Sequence, residues 1–145
     1  GTIEQVVYTA NGVKQVEGIN PYNRVEAETM SAQKGVETEV CRNGGINVTG
    51  LKDGDWIKIS GIDFGLESAK KFTANLVGNG SNLELRLGSE TGKLIGTLNT
   101  IDAKNFKSVS CNVDDEVTGK HDLFIVVKGN GTNPLKIDWW KFATK

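Results

Sequence analysis

The chain has 145 residues, enough for one domain that buries roughly two-thirds of its unfolded surface. Seventeen basic against 18 acidic side chains leave a net charge of −1, so no strong field gathers phosphate backbones or anionic lipid, and neither nucleic acid nor a membrane is expected as a partner. No apolar run approaches the ~18 residues of a membrane span, and 18 glycines against 2 prolines favour tight turns and short strands over long helices.

In chain order, residues 1–19 stand apart as a connector from a preceding domain, with one possible edge strand over Ile3 to Tyr8. Gly1 to Gly12 lacks the charged and apolar regions of a signal peptide, so the expectation is a mature fragment or an excised module. A compact pattern begins at Asn20-Pro21 and runs to residue 145. Alternating segments follow at Asn23 to Glu28, Asp55 to Ser60, Phe72 to Val77, Asn82 to Leu87, Leu94 to Leu98, Phe106 to Val113, Asp122 to Lys128 and Leu135 to Phe142. Asn82-Leu-Glu-Leu-Arg-Leu87 shows the logic, with its leucines on one face and Glu84 and Arg86 on the other. Turn signals such as Asp53-Gly54, Gly78-Asn-Gly80 and Gly129-Asn-Gly131 separate the segments. The pattern predicts an all-β fold, an antiparallel β-sandwich or jelly roll. Leu83, Leu85, Leu87, Ile57, Ile59, Leu123, Ile125 and Val127 are its expected core. Cys41 and Cys111 are compatible with one disulfide or with two small buried hydrophobes.

The constellations of an enzyme are thin. His121 is the only histidine, so every Ser-His-Asp or Cys-His arrangement has to run through it, and its place at a strand entry favours a structural role. Asp53/Asp55 and Asp114/Asp115 are nominal acid pairs for glycoside hydrolysis, yet both lie in turn-rich sequence. The glycine pairs lack the helix that a phosphate loop requires. Asn-X-Ser/Thr triplets begin at Asn47, Asn79 and Asn130. No catalytic residue is assigned.

Two local features point to binding. Ile57 and Ile59 take the buried face of their strand, so Trp56 and Lys58 take the opposite one, where a ring either stacks on a sugar or covers the sheet under a loop. Glu26 and Glu28 are two apart on one predicted strand, so their carboxylates leave the same face and need a cation nearby. Arg24, on that face too, is the simpler partner.

Asn20-Pro-Tyr-Asn-Arg-Val-Glu-Ala-Glu28 resembles the opening strand of family 6 carbohydrate-binding modules. Gly44-Gly-Ile-Asn-Val48, Asp53-Gly-Asp-Trp-Ile57, Val109-Ser-Cys111, Gly119-Lys-His-Asp-Leu-Phe124 and Ile137-Asp-Trp-Trp-Lys-Phe142 resemble later landmarks, in the family's order. Gly12-Val-Lys-Gln-Val16 leading into Asn20-Pro21 resembles the junction between a family 43 glycoside hydrolase and such a module.

The resemblance implies a jelly roll with a structural Ca2+ at Glu26, Glu28 and Asp138, the last near the end of a final strand lying beside the first. It also implies up to two sugar sites. At the edge loops, two aromatic rings and an asparagine are usual where this chain has Gly50, Ala103 and Lys136, so that site is expected to be degenerate. On the concave face, Trp56 and a carboxylate on a neighbouring strand, matched to Glu84, are the expected sugar contacts. The implied function is non-catalytic: a polysaccharide- or oligosaccharide-binding module covalently linked to a secreted, bacterial glycoside hydrolase, targeting it outside the cell to xylan, arabinoxylan or β-glucan. The alternative is a non-binding module that packs against or spaces a catalytic domain.

Overall fold

A computed structural model of the chain describes residues 6–9, 12–15, 19–40, 46–114, 116–131 and 134–145, and among these there is no helix. Near the start, β1 (Val6–Thr9) pairs antiparallel with β2 (Gly12–Gln15). Residues 6–15 thus carry two strands paired with each other, where the sequence suggests a single edge strand at Ile3 to Tyr8. The following strands are β3 (Val25–Glu26), β4 (Ala32–Lys34), β5 (Glu37–Val40), β6 (Ile46–Leu51), β7 (Trp56–Asp63) and β8 (Lys71–Val77). The last five are β9 (Asn82–Leu87), β10 (Lys93–Asn99), β11 (Lys107–Asn112), β12 (Lys120–Lys128) and β13 (Leu135–Ala143).

Two antiparallel sheets result, one in the order β10-β9-β12-β7-β4 and the other β11-β8-β13-β6-β5. β3 shares a side of β13 with β6: β6 pairs with Leu135 and Ile137, β3 with Trp139 and Trp140, while β8 runs along the opposite side. The all-β sandwich predicted from the alternation is the observed architecture. Ile19 is buried and pins the chain to β7 through a single parallel bridge to Ile62.

The core lies between the sheets. Ile57, Ile59, Leu83, Leu85, Leu123, Ile125 and Val127 are buried in it as expected, whereas Leu87, at the end of β9, is only half-buried. The opposing sheet supplies the large rings. Phe72 stacks on Trp140 at 6.1 Å, and Phe142 meets Phe64 edge-on at 5.0 Å. Burying such side chains is the main favourable term, and truncating one to alanine typically costs about 3–5 kcal/mol.

Edge strands β4 and β5 escape the sequence pattern because their side chains are mostly exposed, so no alternation marks them. The opposite failure occurs in β12, where Phe124 and Val126 are buried along with Leu123, Ile125 and Val127. A continuous apolar run marks a strand covered on both faces. On the edge of the second sheet, Cys111 is half-buried, and burial with the nearby Asp114 pushes its thiol up to about 11. Its suggested pairing with Cys41 lies outside the described residues.

Candidate functional site

The outer face of the five-stranded sheet is set by register. Trp56 on β7 stands opposite Lys34 on β4 and Val126 on β12, and Val126 stands opposite Glu84 on β9. Residues paired across antiparallel strands share a face, so Lys34, Trp56, Val126 and Glu84 form one row. The next row holds Ala32, Lys58, Phe124 and Arg86. Trp56 and Glu84 therefore share a surface, but with β12 between their strands. The sequence put them on neighbouring strands; β12, which follows β9 by over thirty residues, returns to separate them, and no local pattern reveals that.

Trp56 is half-exposed, and its ring lies 5.2 Å from the buried Phe124 ring at 57°. Lys58 Nζ sits 5.8 Å from the Phe124 ring centre and 3.8 Å from Asp122 Oδ2. Asp122 is held in turn by the Gly61 amide, which donates to Oδ1 at 2.9 Å. Glu84 Oε1 accepts from Arg86 Nε and Nη2, both at 3.0 Å, while Arg86 Nη1 donates to the Gly92 carbonyl at 2.7 Å. Two ion pairs thus flank a tilted aromatic pair, and Glu84 keeps its second oxygen for another donor. Lys58 beside Trp56 and Arg86 beside Glu84 follow from the alternation along their strands, whereas Phe124 and Asp122 were not singled out from the sequence. The unbroken run Leu123 to Val127 was the available signal for Phe124.

The acidic cluster forms where β3 meets β13. Trp139 stands opposite Glu26, and the Ala27 amide donates to the Asp138 carbonyl at 2.9 Å. Asp138 falls at a register shift between Ile137 and Trp139, the kind of bulge that re-aims a side chain. It is the fourth residue of β13 rather than near its end. β3 stops at Glu26 and the chain turns, with the Thr29 amide donating to the Glu26 carbonyl at 2.9 Å, so Glu28 reaches the cluster from a turn and not from the strand.

Arg24 occupies the place of a cation. Its Nε lies 3.2 Å from Glu26 Oε1, its Nη2 3.9 Å from Asp138 Oδ2, and its guanidinium 5.0 Å from the Trp139 ring centre. Glu28 gets no such relief. Its Oε2 is buried without a hydrogen-bond partner, and burial, with the charges of Glu26 and Asp138, raises its pKa. Among the described residues no three acidic, histidine or cysteine side chains are drawn into a ready metal cage. The donor set nonetheless fits a hard cation, because Arg24 reaches only Glu26 and Asp138, and the Glu28 oxygen beside them is left orphaned.

The edge positions differ again. Gly50 has φ +76°, and a Cβ there meets the Glu37 side chain at 3.3 Å. It lines a cavity of about 230 Å³ with Leu51, Lys52, Asn79 and Asn130, whereas Ala103 lines a separate one of about 310 Å³ with Ile101, Lys107 and Val109. Gly78 and Asn79 face one cavity each, and no aromatic residue is among the lining side chains of either. Gly131 is required here, since a Cβ on it collides with the Asn79 carbonyl. Lys136 Nζ bonds Glu39 at 2.7 Å and holds that carboxyl below its ordinary value.

The remaining candidates have structural partners. His121 Nε2 lies 2.8 Å from the Thr118 carbonyl, with its ring against Phe64. Asp53 accepts from the Gly129 amide and Asp55 from the Lys52 amide, and Asp115 lies outside the described residues. Asn47 and Asn79 are buried, which removes them as sugar-attachment points, while Asn130 is exposed.

Comparison with known proteins agrees with this architecture. The family model for the carbohydrate binding module (family 6) matches residues 26–144. Arabinoxylan arabinofuranohydrolases of Paenibacillus polymyxa and Bacillus subtilis (strain 168) are 40% and 39% identical over 99% and 100% of this chain. The chain spans only 24% and 30% of their lengths. A family 6 carbohydrate-binding module from Clostridium cellulolyticum, solved in complex with xylose, superposes with a TM-score of 0.80 at 35% identity, covering 86% of this chain and 99% of that one. With a family model over most of its length and a matching sandwich, the chain belongs to family 6 of the carbohydrate-binding modules, the non-catalytic binding part of the enzymes that carry it.

Proposed function

We propose that residues 20–145 are the polysaccharide-targeting module of a secreted bacterial glycoside hydrolase, joined to it through residues 1–19, and that sugar binds on the Trp56 face. The carrying observation is the half-exposed Trp56 ring, in one row with Glu84, which Arg86 pairs, set against edge cavities with no ring in their linings. A ring on a polar sheet face offers the apolar surface on which a sugar stacks, and Glu84 accepts hydroxyl hydrogen bonds. The relatives named for arabinoxylan make arabinoxylan or a related xylan the preferred ligand, ahead of β-glucan. Tethering raises the effective concentration of substrate at the linked catalytic domain even when one site binds weakly. The edge site contributes little on this reading. The test is retention of the parent and of Trp56→Ala, checked for folding, in gels containing arabinoxylan. Loss of retention supports the proposal, and unchanged retention favours a structural module that spaces or packs against the catalytic domain.

We further read the sandwich as a jelly roll that closes its last strand on its first around a structural Ca2+. The pairing of β3 with β13 supports the closure. Glu26, Glu28 and Asp138 would hold the ion, which supplies the positive charge that Arg24 alone leaves short, and it stabilises by binding only the folded state. An unchanged melting midpoint with and without chelator sinks this reading.

A further inference from the structure

The chain enters the sandwich at the end of β7 away from Trp56, and it is fastened there. Ile19 is buried, its amide donates to the Gly61 carbonyl at 3.2 Å, and its carbonyl accepts from the Asp63 amide at 3.0 Å. A little further on, the Tyr22 hydroxyl lies 2.8 Å from the Phe64 carbonyl and 3.0 Å from the Glu67 carbonyl, so the entering segment brackets the turn that carries Leu66. That turn is also tied to Gly119: the Phe64 amide donates to the Gly119 carbonyl and the Gly119 amide to the Gly65 carbonyl, both at 2.8 Å. Leu66 stands on this fixed turn with 99% of its surface exposed.

Single surface leucines are common, but this one lies near a second element that lacks a cover. β1 and β2 pair with each other and, among the described residues, with no strand of the sandwich, and a lone two-stranded hairpin is marginal in water. From Gln15 to Ile19 the chain advances four residues, at most ~14 Å when fully extended, so the hairpin stays at the Leu66 end. Similarity to other proteins divides at the same place. The family model begins at residue 26 and the xylose-bound module covers 86% of the chain, whereas the two arabinofuranohydrolases match 99% and 100% of it. The hairpin thus goes with the larger enzymes rather than with the module.

We propose that this end of the sandwich is a docking surface for the catalytic domain that precedes it in the same polypeptide: the β1–β2 hairpin packs on that domain and Leu66 buries against it, so that the two form one rigid body. The inference rests on the reading that a glycoside hydrolase domain precedes the module. It leaves the sugar face free, because Trp56 and Asp63 stand at opposite ends of β7, ~23 Å apart at ~3.3 Å per residue. A fixed docking sets where the Trp56 face points relative to the catalytic domain, which a flexible tether does not.

The test uses the full-length protein, with Leu66→Asp and Leu66→Met as variants whose folding is checked by circular dichroism. Small-angle scattering of the parent should show a single compact particle, and calorimetry one coupled unfolding transition. Leu66→Asp should shift the docking equilibrium about 10- to 150-fold toward the open form, as for exposing one buried leucine, seen as two lobes moving on a linker and as two separate transitions. Leu66→Met should behave as the parent. Domains that already move independently in the parent, or parental scattering and unfolding in Leu66→Asp, overturn the inference while leaving the preceding domain and the sugar face in place. A full-length protein with no catalytic domain ahead of the module removes that reading and the inference together.

Discussion

The outer face of the five-stranded sheet and the edge positions, two of which lie on strands of the opposing sheet, offer a ligand opposite things. On the sheet face, register places a half-exposed tryptophan over a buried phenylalanine and surrounds it with paired charges. At the edge, the positions where the family resemblance puts two rings and an asparagine hold a left-handed glycine, an alanine and a lysine already bonded to Glu39.

The comparison breaks most visibly if the two regions respond alike. Trp56→Ala should weaken binding to xylan by about 5- to 150-fold, taking ~1–3 kcal/mol per stacked ring by analogy with base stacking. Affinity electrophoresis reads this directly, and a folded variant with parental retention removes the asymmetry. Calcium is expected to stabilise by about 2.7 kcal/mol at a hundredfold excess over its Kd. Glu28→Gln should abolish that gain, and calorimetry with and without chelator checks it. Retention by the folded variant should not change, because the acidic cluster belongs to the other sheet.

Gly50→Tyr sharpens the edge side. A non-glycine residue at φ +76° carries strain of about 1–3 kcal/mol, and its Cβ also presses on Glu37. The substitution should therefore lower denaturant stability without improving xylan retention. A gain would show that the strand relaxes to present the ring. Ala103→Trp, in a loop free of that constraint, should leave stability unchanged and raise retention by at most about 5-fold, one weak stacking contact. The smallest effect is Lys136→Asn, which removes a solvent-exposed ion pair that water and salt largely screen. Thermal melting should barely move, and a drop of several degrees would mean that the Lys136–Glu39 bond holds β13 against β5.

Much of this molecule is determined by sequence because period-two alternation is a local property. Leu83 and Leu85, Ile57 and Ile59, and Trp56 opposite them follow from the spacing of apolar residues along single strands. The departures at Gly50, Ala103 and Lys136 come from the family resemblance rather than from any periodicity. What escaped is whatever depends on which strand lies beside which. β4 and β5 carry no alternation because edge strands face solvent. Phe124 joins the Trp56 surface only because β12 runs between β7 and β9.

The acidic cluster divides in the same way. That Glu26 and Glu28 need positive charge nearby follows from two like charges close in sequence. That Arg24 serves Glu26 and Asp138 while leaving a Glu28 oxygen buried and unpartnered was decided by the end of β3 at Glu26 and the bulge at Asp138. The chain by itself determined which face each side chain takes along its own strand, because that alternation is set by backbone geometry. Only the tertiary structure decided which rings, charges and carboxylates meet, because strand order is settled by long-range pairing between residues far apart in the chain.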